Sequence, residues 1–226
     1  MHNAPFFKFP STPHLVFTSK NVARSDKLLD AGKKEILLSN PVTIEEKIDG
    51  ANLGISFSSS GDILLQNRGQ YLVPPFYGQW KSISTWISMH QDSLLDVLED
   101  KYILFGEWCY ARHSISYSKL PDWFIGFDIY DISAQKFLAV PLRNKMLGKA
   151  GIVIVPQIKH GAFTMNEIPT LLKRSAYGDS PCEGLYFRYD VSNWLEIRAK
   201  YVRSAFIQSI DHHWCSSPIQ KNQIKY

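Results

Sequence analysis

Residues 42–67 read VTIEEKIDGANLGISFSSSGDILLQN, and this stretch sets the fold class. Its apolar and β-branched runs are broken twice by turn-forming residues, IDGAN at 48–52 and SSSGD at 58–62. The pattern predicts strand, turn, strand, turn, strand. Within it, Lys47 stands among Glu45, Glu46 and Asp49. Two readings are open for that lysine: a solvated edge residue, the usual fate of lysine, or a nucleophile whose amine is tuned by its neighbours. In a strand, Glu45 would share the face of Lys47 and Glu46 would oppose it.

Downstream, Ile83, Trp86 and Ile87, then Leu94, Leu95, Val97 and Leu98, recur at helical spacing and predict one or two amphipathic helices. The runs YILFGEWCY, WFIGFDIYD and KFLAV are apolar and β-rich. Pro141 opens a helix through Lys149 that Gly151 ends. IVIVPQI reads as a strand. Thr164 and Glu167 form a capping-box pattern at the head of a helix closing at Gly178. EGLYFRYD and WLEIRAKYV read as paired strands, and RSAFIQSIDHHW as a helix. Strands dominate, many joined as hairpins, which predicts an α+β fold with antiparallel sheets flanked by helices. The chain carries no internal repeat or low-complexity linker, so residues 1–226 are expected to form a single domain.

Composition fits an ordinary globular protein, with 45% hydrophobic and 20% charged residues. No apolar run approaches a membrane span, and two prolines interrupt MHNAPFFKFPSTPHLVF where a secretory signal needs an apolar core. Cys109, Cys182 and Cys215 are odd in number and widely spaced, with neither a disulfide framework nor a zinc pattern. An intracellular setting, cytoplasmic or nuclear, is expected. Residues 1–140 hold 13 Lys/Arg against 15 Asp/Glu, and residues 141–226 hold 12 against 6. The basic C-terminal part suits an anionic ligand or nucleic acid, although solubility explains the overall +4 equally well. There is no glycine-rich phosphate loop.

Alone, Lys47-Ile48-Asp49-Gly50 carries little weight. An ordered set follows it, however: Arg68 in QNRG, Glu107 in FGEW, Phe127-Asp128 in FIGFDIYD, Glu183-Gly184 in EGLYFR, and Arg198 with Lys200 in IRAK. Together these resemble the covalent nucleotidyltransferase superfamily of polynucleotide ligases and capping enzymes. KIDGAN resembles the ATP-dependent RNA ligase branch that includes the RNA-editing ligases.

The resemblance implies a nucleotidyltransferase (ATP-grasp-like) domain, ATP with Mg2+ or Mn2+ as cofactors, and RNA with 5′-phosphate and 3′-hydroxyl ends as partner. It makes Lys47 the residue that takes AMP and Glu107 the acceptor of a ribose hydroxyl. Phe127 becomes the platform for adenine and Glu183 the metal-positioning acid. Arg68 falls beside the ribose and phosphate, and Asn52 near the sealing step. Arg188 stands where these ligases often have lysine. Arg198 and Lys200 are assigned to the α-phosphate and to the positive charge that would keep the Lys47 amine neutral. Against that charge stand Glu45, Glu46 and Asp49, which push the wrong way unless they hold magnesium or point outward. Arg198 replaces the lysine of many ligases but keeps its charge. Many such ligases have a C-terminal domain that grips RNA, whereas 26 residues follow Lys200 here. A protein partner supplying the grip is one expectation. A non-catalytic RNA- or nucleotide-binding module, a DNA ligase and a capping-type enzyme are the alternatives.

Plainer roles exist for each residue. Glu107 and Glu183 lie within apolar runs, where an unpaired carboxylate is costly to bury. Phe127 by default is core. Asp128 and Asp131 are turn residues or metal ligands. Arg112 and His113 are open to phosphate contact or to a structural role. Arg24 and Lys27 are open to contact with RNA or triphosphate, but a helix cap at Ser25 is preferred. His212 and His213 read as a solvated turn.

Overall fold

A computed structural model describes residues 6–18, 27–204, 206 and 219–225. Two antiparallel sheets carry the fold. One has four strands in the order β7 (Gln157–Gly161), β1 (Val42–Lys47), β8 (Gly184–Val191) and β9 (Trp194–Val202). The other has five, in the order β3 (Ile63–Gln66), β2 (Ala51–Phe57), β4 (Tyr102–Trp108), β5 (Phe124–Asp131) and β6 (Lys136–Phe137). The α+β class read from the sequence is therefore observed.

SSSGD is the expected hairpin turn: Phe57 faces Ile63, and Gly61 supplies a left-handed φ of 84°. IDGAN is not. Strands β1 and β2 lie in different sheets, each already paired on both edges, and both are almost wholly buried. Ile48–Gly50 carries the chain from one sheet to the other, so Lys47 ends a strand where the sheets meet.

Helix α1 (Ala31–Ser39), which the sequence reading missed, starts at Asp30, whose side chain accepts from Gly32 N and Lys33 N. Helix α2 (Ile83–Leu98) buries Ile83, Trp86, Ile87, Leu94, Val97 and Leu98. These pack with Leu53, Ile55, Phe57, Leu104 and Trp108 beneath the five-stranded sheet. Helix α3 (Val140–Lys149) begins with the expected proline in its first turn. A second core, including Leu37, Ile44, Phe163, Leu185 and Phe187, belongs to the four-stranded sheet. A third joins the two sheets through Ile48, Ile115, Tyr117, Ile125 and Val155.

Two further expectations are corrected. The strand expected at 152–158 starts only at Gln157, because Pro156 has no N–H for a ladder; Ile154 makes an isolated bridge to Gly126. The capping box of Thr164 and Glu167 exists, yet helix α4 (Ile168–Leu171) stops well before Gly178. The backbone beyond it is committed elsewhere: Cys182 N donates to Lys173 O, Ser175 N to Ser180 O, and Ala176 N to the Glu46 carboxylate. Arg24, Ser25, His212, His213, Cys215 and most of the expected helix at 203–214 lie outside the described residues. Cys109 and Cys182 are buried free thiols.

Candidate active site

Lys47 faces Gly184 across the β1–β8 pair, which sets it beside Glu183, the residue preceding β8. Lys47 Nζ donates to Glu183 Oε2 at 2.6 Å. Two glycines allow this crossing. A Cβ on Gly184 would fall 1.9 Å from Tyr201 O, and one on Gly50 3.0 Å from Trp108 O. Close backbone approach thus demands the glycine of E-G, while that of K-x-D-G sits in a tight fit.

From the other sheet, Asn52 and Glu107 are direct partners across β2 and β4. Both amide atoms of Asn52 and Oε2 of Glu107 are buried without a hydrogen-bond partner. Orphaned polar atoms of this kind are expensive unless a ligand satisfies them.

The charges are mutually perturbed. Burial pushes Glu107 up to about 8, with Lys47 and Arg68 only partly opposing it. Burial likewise raises Glu183 to about 7 against the pull of Lys47. For Lys47, burial favours the neutral amine, but Glu183, Glu107 and Asp49 outweigh it and raise its pKa. The expectation that nearby positive charge lowers the Lys47 pKa has the opposite sign in the free protein, where Lys47 is an ammonium ion.

The three acids around Lys47 are all engaged in protein contacts. Asp49 Oδ2 accepts from Ser114 N and Ile115 N, at 2.8 and 2.9 Å, and its own N–H donates to Tyr117 OH. Glu46 accepts from Ala176 N, and burial raises its pKa. Glu45, 1% exposed, lies between Arg143 and Arg188, both at 2.5 Å. Burial opposes ionisation there, but the two guanidinium groups win and lower its pKa.

Arg143 and Arg188 also donate to Phe127 O, at 2.6 and 2.9 Å. That carbonyl is freed by a bulge: Phe105 faces Asp128 and Gly106 faces Gly126, leaving Phe127 as the extra residue of β5. Arg188 continues to Asp128 at 2.6 Å, and Arg198 reaches the same carboxylate at 3.3 Å. Three guanidinium groups therefore meet two carboxylates, leaving one positive charge over. Arg143 was not foreseen. Its signal lay in Val140, Arg143 and Leu147, which share one buried helix face and require an acidic partner for the arginine.

Two cavities share Lys47, Ile48, Asn52, Arg68, Glu107 and Glu183. The larger, about 880 Å³, adds Phe127, Arg188, Lys200 and the segment Lys8–Thr12. The smaller, about 480 Å³, adds Asp49, Asn67, Gln79, Trp80, His113 and Ser114. Of the residues to which the resemblance gives a role at the site, Arg198 alone lines neither. Its guanidinium lies against Phe9 and Phe137, 4.7 and 4.5 Å from their ring centres. Asp131 is a turn residue, accepting from Ser133 Oγ and Ala134 N. Lys8–Thr12 and Gln79 carried no sequence signal.

A family model described as RNA ligase matches residues 40–202. The chain belongs to the RNA ligase family. Among solved structures, this family member is similar to a Naegleria gruberi RNA ligase with PPi, at 18% identity and a TM-score of 0.62, covering 93% of this chain and 64% of that one. It also resembles variants of that ligase with ATP and Mn (19% identity, TM-score 0.59) and with AMP and Mn (19%, 0.61). Each of those matches covers 77% of this chain and 53% of the other, so the likeness is one of fold and spans about half the length of those ligases. No curated protein sequence matches the chain. Among the described residues, no helix of this RNA ligase family member is long and apolar enough to cross a membrane.

Proposed function

We propose that the protein is an ATP-dependent RNA ligase working through an AMP adduct on Lys47. The observation that carries this reading is the position of Lys47: paired to Glu183 where two cavities meet, beside the orphaned polar atoms of Asn52 and Glu107.

ATP enters the larger cavity as substrate. The Phe127 ring, brought out by the bulge, stacks on adenine, and the Glu107 carboxyl, largely protonated near neutral pH, hydrogen-bonds a ribose hydroxyl. Lys200 and Arg68 bind phosphate oxygens. Arg188 and Arg198 act as positioning residues through Asp128 and the Phe127 carbonyl. Lys47 gives up its proton, its nitrogen bonds to the α-phosphorus, and the bond to the pyrophosphate oxygen breaks. AMP then passes to an RNA 5′-phosphate, and a 3′-hydroxyl displaces it, with Asn52 beside the sealing step.

No group of three or more His, Cys, Asp or Glu side chains placed to hold a metal occurs among the described residues. Glu183, the acid to which the resemblance assigns the metal, would hold Mg2+ or Mn2+ together with waters and substrate phosphates, which such ions take as ligands. A divalent ion there supplies positive charge that favours the neutral amine and the departing pyrophosphate.

Incubation with magnesium and α-labelled ATP should give a covalent adduct, stable in alkali and labile in acid as a phosphoramidate is, that Lys47→Ala does not form. Failure of the wild-type protein to take label overturns the ligase reading and favours a non-catalytic module. Label from GTP instead indicates a capping-type enzyme, and sealing of DNA but not RNA a DNA ligase.

A further inference from the structure

Residues 67–82 and 109–120 both contribute to the wall of the smaller cavity, and residues 219–225 lie against the second of them. Trp108 Nε1 donates to Gln79 O at 2.7 Å, and the side chains of His113 and Gln79 are 2.9 Å apart, which ties residues 67–82 to residues 108–113. Residues 219–225 run along 109–120: Arg112 N donates to Gln220 O, Asn222 N to Tyr110 O, Gln223 N to Tyr117 O, and Lys225 N to Leu120 O. The buried Asn222 side chain fastens the two, donating to Cys109 O and accepting from Tyr117 N. Asp49 joins this surface to the lysine motif through Ser114 N and Ile115 N.

The chemistry of these segments is one-sided. Residues 67–82, 109–120 and 219–225 contain Arg68, Lys81, Arg112, Lys119, Lys221 and Lys225 and no Asp or Glu. Their surplus of six exceeds the net +4 of the whole chain. Arg68, Lys81, Arg112 and Lys221 are all exposed. Aromatic rings stand among them: Tyr77 is 74% exposed, Trp80 is half-buried on the cavity wall, and Lys221 lies 5.0 Å above the Tyr110 ring. Cations to follow a phosphate backbone, interleaved with flat rings for bases, are what a protein uses to hold a single nucleic-acid strand. The surface runs into the cavity where Asn52 and Glu107 have unpartnered polar atoms.

We infer that residues 67–82, 109–120 and 219–225 form a docking surface for a single RNA strand, leading its terminal nucleotide through the smaller cavity to Lys47. Lys81, Arg112 and Lys221 hold phosphates, and Tyr77 stacks on a base. The inference rests on the ligase reading and extends it, since the strand is gripped by the same fold that carries the lysine.

The test measures binding of a short, labelled, single-stranded RNA by anisotropy across a salt series, with label transfer from ATP to Lys47 run in parallel. In Lys81→Gln/Arg112→Gln/Lys221→Gln, affinity should fall, and the slope of log affinity against log salt should shrink by about 2, as three phosphate contacts on a single strand require. Tyr77→Ala should weaken binding by about fivefold or more with the slope unchanged, because stacking releases no counterions. Neither change touches the ATP cavity, so both proteins should take label as the wild type does. Lys33→Gln/Lys145→Gln/Lys149→Gln, on helices α1 and α3, should leave the slope intact. Wild-type binding and slope in the triple variant and in Tyr77→Ala would overturn the docking surface, as would an equal loss in the α1/α3 control. Absence of label in the wild-type protein overturns the ligase reading instead, and the anisotropy series still decides the surface.

Discussion

Lys47 Nζ donates to Glu183 Oε2 at 2.6 Å, joining the last residue of β1 to the residue that precedes β8. The pair is contradictory for a nucleophile. Glu183 orients the amine and also does most to keep it protonated. Attack by nitrogen therefore requires the ion pair to be broken, by deprotonation or by a cation that takes over the carboxylate. In the free protein the proposed nucleophile is held in place by Glu183, and its pKa is raised.

Glu183→Gln should make Lys47 more reactive. With the carboxylate gone, the largest influence raising the lysine pKa is lost and burial pulls it down. Each unit of decrease gives about tenfold more neutral amine at a fixed pH. Modification of Lys47 by an amine-directed acylating reagent, followed by mass spectrometry from pH 7 to 10, should be faster in Glu183→Gln at every pH. A slower or equal rate would mean that burial does not govern this amine. Adenylation should nevertheless fall in the same variant, because the proposed metal-positioning acid has gone.

Glu107→Gln should stabilise the free protein, increasingly so with pH. Burial raises the folded pKa of Glu107 from 4.5 to about 8, so the folded chain binds this proton more tightly than the unfolded chain. Stability is lost as pH climbs from 4.5 to about 8 and no further above that. Glutamine never ionises and escapes the penalty. Thermal melts at pH 5 and pH 8 should show a gain present mainly at pH 8, each kcal/mol raising Tm by about 2–4 °C in a chain of this size. The KM for ATP in adenylation should rise, since a ribose contact is altered. Equal melting temperatures at both pH values would put Glu107 in a wetter site than its burial indicates.

Much of this site was legible from residue order, and what was not has identifiable causes. Lys47, Glu107, Phe127 and Glu183 lie in short apolar strand runs that local pattern finds well. The partners of β1 were hidden because strands adjacent in sequence usually pair, and only two fully flanked strands force the chain at Ile48–Gly50 to change sheets. Arg143 went unread because its partner Glu45 is 98 residues away. Arg198 was assigned to phosphate by its motif, but Asp128 and two phenylalanine rings hold it outside the cavities. The charge split at residue 140 concealed the basic surface, whose cations come from both halves of the chain.

Glu45→Ala should be among the most damaging substitutions outside the apolar cores. It would leave Arg143 without its carboxylate and Arg188 with Asp128 alone, in a place where each is about 2% exposed or less. Removing one side of a buried ion pair costs about 3–5 kcal/mol. Arg143→Met should cost less, because Glu45 keeps Arg188 and methionine fills the space. Urea unfolding should rank the proteins wild type, then Arg143→Met, then Glu45→Ala. The reverse order would show that Arg143, through Phe127 O, matters more to stability than the carboxylate does.

The two motif glycines should differ sharply when replaced by alanine. At Gly184 the added Cβ would lie 1.9 Å from Tyr201 O, a backbone atom of β9 held in the sheet. No side-chain rotation relieves that contact, so β8 must move away from β9 and take Glu183 with it. At Gly50 the nearest atoms are Trp108 O at 3.0 Å and Cys109 Sγ at 3.1 Å, where a shift of a few tenths of an ångström suffices. Gly184→Ala should therefore fold poorly and form no adduct, while Gly50→Ala should fold with a lower Tm and a slower rate of labelling. Comparing soluble yield, melting temperature and label uptake separates the two. A stable, fully active Gly184→Ala would mean that the β8–β9 pair yields at its first residue, and Glu183 would then not owe its position beside Lys47 to that glycine.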